Sequence, residues 1–203
     1  MVAHELTILQ AARMKGRLSP ELAAASTGLD VDAASAVLAE LRGAGLVKGE
    51  PSVRLTPEGR ERLATLVAAE RDDIDQTALS VLYGEFDDHN SDLKHIITDW
   101  QLRDGAPNDH TDATYDGQII ARLVALDDSF TPLVDRMSVI APRLATYRAR
   151  FANAIEQITA GDKGFVARPI ADSYHTVWFE LHEELIGLLG LSRAEEAAAG
   201  RAV

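Results

Sequence analysis

The chain of 203 residues contains no cysteine. This absence excludes a disulfide framework, a thiolate metal site and a cysteine nucleophile. Long apolar runs are also missing: the N-terminal segment has none that could serve as a signal peptide, and no later segment approaches the length of a membrane span. We therefore expect a cytoplasmic protein with no membrane contact.

Basic residues are scarce, with 20 Lys and Arg against 32 Asp and Glu, and the formal net charge is -12. Residues 1–71 contain nine of each sign, so the rest of the chain carries the whole negative charge. Because an acidic surface repels phosphate backbones, any contact with nucleic acid is expected from the neutral N-terminal part. The length and the 46% hydrophobic content favour two small domains, each with its own core.

The first predicted domain, residues 1–70, has the pattern of a winged helix-turn-helix. Residues 5–45 contain three stretches with apolar residues at helical spacing, each ended by glycine. Two short β segments, 46–48 and 53–55, follow around a Gly-Glu-Pro-Ser turn, before Thr56 opens a further helix. Three helices followed by a hairpin predict a winged helix-turn-helix with a small β-wing.

The sequence of this predicted wing resembles that of a known family. GLVKGEPSVRLTPEGRERL, residues 45–63, is similar to the wing and following helix of MarR-type transcriptional regulators, in which a G-L-V opens the wing and an L-T-x-x-G closes it. The resemblance covers roughly the first 70 residues. It implies a DNA-binding transcriptional regulator that acts as a homodimer, with the C-terminal part as its sensor and dimerisation domain.

The third predicted helix corresponds to a recognition helix, yet it offers few groups that can read DNA. Positions 32–37 are Asp, Ala, Ala, Ser, Ala and Val, of which only Ser35 can donate a hydrogen bond to a base. Phosphate contacts are expected from six cations: Arg13, Lys15, Arg17, Arg42, Lys48 and Arg54. The alternative is that these are ordinary solvated charges balanced by acidic residues, and that the domain docks onto a protein.

Residues 71–193 are predicted to form an acidic all-α bundle, followed by a polar tail at 194–203. In the first helix, 74–103, apolar residues alternate at spacings of three and four and form a packing seam. Its members are Leu79, Leu82, Phe86, His89, Leu93, Ile96 and Trp100. The segment DGAPND breaks this helix, and further helices are expected at 111–126, 128–138, 142–159 and 169–189. The seam or the last helix, which is apolar nearly all round, is the expected dimer interface.

Several side chains of this bundle are candidates for binding a small-molecule effector. His89 lies in the apolar seam, and we interpret it as a core histidine satisfied by a neighbouring group, with a pH sensor or ligand contact as the alternative. One side of the last helix carries Tyr174, His175, Trp178 and His182. Such a group either packs in the core or lines the pocket of a sensor.

No metal, cofactor or enzymatic activity is predicted. Asp92 with His95 and Asp172 with His175 have the spacing of carboxylate and imidazole ligands in four-helix metal sites. Two such pairs are unremarkable for this composition, and no glutamates can be assigned to complete a site. A Ser-His-Asp order, a P-loop and a dinucleotide fingerprint are all absent from the sequence.

A second resemblance covers most of residues 80–197. DLKHIITDWQLRDGAPNDHTDATYDGQIIARL and ARPIADSYHTVWFELHEELIGLLGLSRAEE are similar to helical segments found next to, or fused with, actinobacterial proteins of the pyruvate phosphate dikinase type, which use phosphoenolpyruvate. The Thr-x-His phospho-acceptor and the Gly-rich nucleotide loops of those enzymes are missing from this chain. The resemblance therefore implies a partner or regulator of phosphotransfer, and no phosphotransferase.

Two functions follow from this reading. The first is a winged-helix transcriptional regulator with an acidic helical sensor and dimerisation domain. The second is a non-DNA-binding accessory or regulatory subunit that docks onto a phosphoenolpyruvate-utilising, dikinase-like enzyme.

Overall fold

The structure is a computed structural model that describes residues 2–169 and 171–198. It is mainly helical, as predicted, and contains two small antiparallel sheets of two strands each. The chain divides into two compact units, Met1–Ile74 and Asp75–Val203. We call them the N-terminal unit and the C-terminal unit.

The N-terminal unit is built from short helices and one hairpin. Its elements are α1 Val2–Lys15, α2 Pro20–Thr27, α3 Val31–Gly43, β1 Val47–Lys48, β2 Arg54–Leu55 and α4 Pro57–Asp73. Polar N-caps begin three of these helices, because the side chains of Ser19, Asp30 and Thr56 each accept a hydrogen bond from a backbone amide of the first turn. The predicted domain ends at residue 70, whereas α4 continues to Asp73 and the compact unit extends to Ile74.

The core of the N-terminal unit is aliphatic, since residues 1–74 include no Phe, Tyr or Trp. Ile8, Leu9, Leu18 and Val53 are fully buried in it. The backbones of Leu18 and Val53 exchange two hydrogen bonds of 2.9 Å each, so the segment between α1 and α2 pairs with the hairpin. These contacts hold the hairpin against the helices.

The L-T-x-x-G motif lies where the hairpin meets α4. The Thr56 hydroxyl is 2.7 Å from the carbonyl oxygen of Gly45 and 3.0 Å from that of Leu46, and it accepts a 3.0 Å hydrogen bond from the amide of Gly59. A Cβ atom at Gly59 would lie 1.9 Å from the Leu46 carbonyl oxygen. Position 59 therefore requires glycine because the first turn of α4 lies directly against the backbone that enters β1.

The C-terminal unit is built from long helices, with a second hairpin between the first two. Its elements are α5 Gln76–Gln101, β3 Leu102–Arg103, β4 Ala106–Pro107, α6 Ala113–Ile140, α7 Ala145–Thr159, α8 Tyr174–Leu189 and α9 Arg193–Ala198, with 3-10 turns at Pro142–Leu144 and Lys163–Val166. This order agrees with the predicted all-α character, while several boundaries differ from the prediction.

One difference is that α6 is a single helix, where the sequence predicted two with a break near residue 127. Pro132 lies inside it. Buried side chains continue the same helical spacing across the expected break, among them Leu126, Phe130 and Val134. Packing of this face along α5 outweighs the one backbone hydrogen bond that the proline cannot make.

A second difference concerns the segment DGAPND, which was expected only to break the helix. It supplies the turn and the second strand of the β3–β4 hairpin, in which Leu102 pairs with Pro107 and Arg103 with Ala106. Asp104 and Gly105 form the turn, both with positive φ, at 51° and 80°. An Asp-Gly pair in that conformation matches the twist of a hairpin, so the local signal was present in the sequence.

The last long helix, α8, begins at Tyr174 and not at Pro169. Ser173 is its N-cap and accepts a hydrogen bond from the Thr176 amide. Ile170, which the prediction included in this helix, lies outside the described residues. The short helix α9 occupies part of the predicted polar tail, and residues 199–203 of that tail also lie outside the described residues.

Stacked and tilted aromatic rings fill the centre of the C-terminal unit. The ring centroids of Phe130 and Trp178 are 4.1 Å apart, and those of Phe86 and Trp178 are 5.1 Å apart. The packing seam of α5 and the apolar residues of α8 are buried in this core. The unit's own helices therefore cover most of the seam and of the last helix, the two faces that were expected at a dimer interface.

An ionic cluster joins α7 to α8 beside the aromatic core. The buried guanidinium of Arg150 donates two hydrogen bonds to Asp172, at 2.9 and 3.0 Å, and one to Glu180 at 2.5 Å. Burial opposes the charged form, yet these carboxylates hold the pKa of Arg150 above its ordinary value. Arg143 pairs with the buried Glu184 at 2.6 Å. Each buried charge here has a partner of opposite sign, as buried ions require.

Among the described residues, none of the helices is by itself long and apolar enough to cross a membrane. Helices α2 and α3 satisfy that test only when they are taken together, and they are bent by 112° relative to each other.

Replacing Gly59 by alanine is expected to destabilise the N-terminal unit by about 2–4 kcal/mol, because the new Cβ would force α4 away from the Leu46 carbonyl. The measurement is amide hydrogen exchange of residues 45–63, which should accelerate. Gly43→Ala is the matched control, since nothing lies within 4 Å of a Cβ at that position. Equal exchange in the two variants would contradict the close approach.

Candidate functional site

The exposed face of α3 is small and acidic. Ala34, Leu38 and Leu41 are buried against the rest of the unit. The outward-facing residues are Val31, Asp32, Ser35, Ala36, Ala39 and Glu40. Ser35, the one predicted base contact, is therefore accessible, but the carboxylate of Asp32, one helical turn earlier, shares its side of the helix.

The hairpin of the N-terminal unit presents two cations side by side. Lys48 on β1 is the register partner of Arg54 on β2, and both side chains are exposed. Directly opposite residues in an antiparallel pair have Cβ atoms about 5 Å apart on the same face, and like charges at such positions destabilise the pairing. A phosphate bound between the two cations would relieve that repulsion.

The other predicted phosphate contacts differ in their surroundings. Arg42 forms an exposed ion pair with Glu50, at 2.6 Å, so its charge is locally compensated. Arg13 is exposed and donates to the side chain of Gln10 at 3.2 Å. Arg17 is exposed and Lys15 is half-buried. The Lys48 and Arg54 pair is thus the strongest local concentration of positive charge that we identify among the predicted contacts.

The predicted ligand residues of the C-terminal unit lie in or against its core. Tyr174 and Trp178 are fully buried, and their polar hydrogens are donated to Asp127, at 3.1 Å, and to Asn90, at 3.0 Å. His89 has its Nδ1 atom 2.9 Å from the carbonyl oxygen of Glu85, one helical turn earlier. Each of these polar groups is engaged inside the unit.

His182 is the least satisfied of these residues. Its Nε2 atom is 2.9 Å from the Tyr83 hydroxyl, which donates its own hydrogen to Glu196 at 2.5 Å. This arrangement requires that Nε2 carry the proton, and Nδ1 is then a buried acceptor without a partner among the described residues. Burial, reinforced by Arg193 and Lys94, lowers the pKa of His182 to about 4.

His175 has a similar but weaker perturbation. Its Nε2 atom is buried and has no hydrogen-bond partner in the part of the chain that the structure describes. Burial lowers the pKa of His175 below its ordinary value. Both histidines are therefore neutral at physiological pH.

The two carboxylate and histidine pairs have separate environments. Asp92 and His95 line a cleft of about 330 Å³ between α5 and α6. Asp172 instead accepts two hydrogen bonds from Arg150. Within residues 2–169 and 171–198, no group of three or more His, Asp and Glu residues is arranged to hold a metal ion.

The buried carboxylate of Asp116, near the start of α6, is not among the residues predicted from the sequence. Its Oδ1 atom is 3.2 Å from Asn108 Nδ2 and 3.2 Å from His110 Nδ1, and its Oδ2 atom accepts from Lys163 at 3.1 Å. Burial alone would raise the pKa of Asp116. The hydrogen bonds from Lys163, His110 and Asn108 lower it by more, so the pKa lies below its ordinary value. No local pattern links these residues, because Lys163 reaches Asp116 only through the tertiary fold.

The free energy of unfolding of the C-terminal unit is expected to decrease as the pH falls from about 6.5 to about 4. An unfolded histidine titrates near 6.5, whereas folded His182 has a pKa of about 4, so the unfolded chain binds more protons in this window. The expected loss from His182 is about 3 kcal/mol. It can be measured by urea unfolding followed by tryptophan fluorescence, because both tryptophans lie in this unit.

His182→Gln is expected to remove the part of that pH dependence that His182 contributes, while the part from His175 remains. The matched control is His4→Gln, which changes an exposed histidine of the N-terminal unit. An unchanged slope in the His182 variant would contradict the assigned protonation.

No protein-family model matches this chain, and neither the curated proteins nor the solved structures contain a match to it.

Proposed function

We propose that the protein is a transcriptional regulator whose N-terminal unit is a winged helix-turn-helix that binds DNA. The observation that carries this proposal is the juxtaposition of Lys48 and Arg54 on the exposed face of the hairpin. In a winged helix the hairpin lies beside the DNA backbone, where two adjacent cations contact phosphate oxygens. The L-T-x-x-G junction, with its close contact between Gly59 and Leu46, supports the resemblance to MarR-type wings.

The exposed face of α3 can distinguish one DNA sequence from another only weakly. Ser35 is its hydrogen-bond donor, while Ala36 and Ala39 allow close approach to the groove and contact with thymine methyl groups. Asp32 and Glu40 oppose the phosphate charge. Most of the binding free energy is therefore electrostatic and falls with salt.

The C-terminal unit is the sensor and dimerisation part of this regulator. Because residues after 71 carry the whole negative charge of the chain, DNA contact stays with the N-terminal unit. A homodimer doubles the weak contacts of one wing. Since the α5 seam is buried, the dimer surface includes exposed apolar side chains such as Val81 and Val139, which are 62% and 83% exposed.

Dimer formation predicts a species of about 44 kDa, twice the 22.0 kDa of the chain, in sedimentation equilibrium. Val81→Glu combined with Val139→Glu should shift the equilibrium toward the monomer at least tenfold, because each charge would be buried at the interface. A single species of 22.0 kDa at all concentrations would refute the homodimer.

Lys48→Ala combined with Arg54→Ala is expected to weaken binding to the DNA upstream of the protein's own coding sequence at least tenfold. The slope of log K against log salt should become smaller by about 2 for each protomer that contacts DNA, hence by about 4 for the homodimer, since each wing loses two phosphate contacts. The double variant Arg136→Ala with Arg148→Ala is the matched control, because it removes two exposed cations from the C-terminal unit. Its affinity should remain within about twofold of wild type.

The regulator proposal fails if wild-type protein retains no DNA at about 50 mM salt, where phosphate contacts are strongest. It also fails if both double variants lose affinity equally, because the binding would then follow net charge and not the wing.

A second candidate function is docking onto a phosphoenolpyruvate-utilising, dikinase-like enzyme. The observation that favours it is the small, uncharged surface of Ala36 and Ala39, flanked by two carboxylates on α3. Ala36→Arg separates the two functions. The added cation should strengthen DNA binding, whereas its bulk should weaken a protein interface at least tenfold. Complex formation with the purified enzyme is measured by calorimetry.

A further inference from the structure

The C-terminal unit contains a cleft of about 510 Å³ beside the Lys163–Val166 turn. Its lining residues are Trp100, Gln101, His110, Lys163, Gly164, Ala167 and Arg168. All of them belong to the end of α5, the segment after β4 and the turn that follows α7. The cleft is distinct from the buried aromatic core in which Tyr174 and Trp178 lie.

The wall of this cleft is basic within an acidic unit. The side chains of His110, Lys163 and Arg168 are 37%, 42% and 49% exposed, so each is accessible to a ligand. None of the described lining residues is acidic. The hydrogen-bond donors of His110, Lys163 and Arg168 therefore face a cleft in which no lining carboxylate competes with a ligand for them.

Carboxylates outside the lining hold these donors in place. The fully buried Asp116 accepts from Lys163 at 3.1 Å and lies 3.2 Å from His110 Nδ1, which leaves His110 Nε2 directed away from it. Asp162 accepts from Arg168 at 2.8 Å. Each cation keeps further donors available, since an ammonium has three and a guanidinium five. The arrangement is a pre-organised set of donors.

Gly164 makes room for the arginine. A Cβ atom at this position would lie 2.0 Å from Arg168 Nη2. The guanidinium can therefore fold over the turn only because residue 164 has no side chain. Alanine at this position would displace the guanidinium without changing the charge of the protein.

Trp100 lines the same cleft but is only 7% exposed. Its ring centroid is 4.3 Å from that of His110, with the planes tilted by 36°. The indole therefore supports the His110 ring, and its N–H signal reports on the cleft.

We propose that this cleft, with a volume of about 510 Å³, binds a small organic anion that carries a carboxylate or a phosphate. Lys163 and Arg168 contact the anionic oxygens, and His110 donates from Nε2. This deepens the regulator proposal by assigning its effector class. The binding itself does not depend on DNA, so it can be tested even if the regulator proposal fails.

The experiment follows the two indole N–H signals by NMR, assigned through Trp100→Phe, while benzoate, phenyl phosphate or the neutral control benzyl alcohol is added to the full chain. Benzoate or phenyl phosphate is expected to shift the Trp100 signal saturably, whereas benzyl alcohol should bind at least tenfold more weakly. The two anions distinguish a carboxylate from a phosphate ligand.

Two variants test the donors. Arg168→Ala should weaken binding of the anion at least tenfold because a charge-assisted contact is lost, and Gly164→Ala should do so at least threefold by displacing the guanidinium. Arg148→Ala is the matched control: like Arg168, it pairs with one exposed aspartate at 2.8 Å. Each variant should keep the thermal midpoint of the wild type, which shows that it folds.

Equal affinity in the Arg168 variant and the Arg148 control would overturn the proposal. So would saturable binding of benzyl alcohol as tight as that of both anions. Binding of inorganic phosphate as tight as that of phenyl phosphate would also overturn it, because the site would then recognise the anion alone and not an organic anion.

Discussion

The first turn of α4 lies so close to the backbone of Leu46 that no side chain fits at Gly59, and the hairpin of the N-terminal unit depends on this contact. Each strand has only two residues, and a hairpin of that length is not stable alone. The Thr56 hydroxyl and the backbone pairing of Leu18 with Val53 supply what the strands lack. The outward display of Lys48 and Arg54 therefore rests on contacts behind the hairpin.

Two buried ionic centres in the C-terminal unit have different consequences. The Arg150 centre is closed, because its guanidinium is only 6% exposed and bonds to two carboxylates. It stabilises the packing of α7 on α8 and offers little to a ligand. In the Asp116 centre it is the carboxylate that is buried, whereas its partners His110 and Lys163 are partly exposed and reach the cleft. Pairing a buried acid with half-exposed bases turns a structural ion pair into a set of positioned donors.

The charge distribution is compatible with both a DNA contact and an anion site. The acidic surface of the C-terminal unit disfavours anions at long range, but charges separated by more than about 10 Å are largely screened at 0.1 M salt. Local donors then decide what binds in the cleft. In the N-terminal unit, screening likewise makes the adjacent cations on the hairpin more important for anion binding than the net charge of the whole unit.

Local signals in the sequence determined the helical class, the order of elements in the N-terminal unit and the start of a helix at Thr56, because capping and periodicity act within a few residues. They did not determine the continuity of α6 through Pro132, since packing along α5 outweighs local propensity. Nor did they show that the α5 seam is covered by its own unit. Only the tertiary structure brought Lys163 to Asp116 and Arg168 over Gly164, because such contacts join side chains whose spacing along the chain carries no periodic signal.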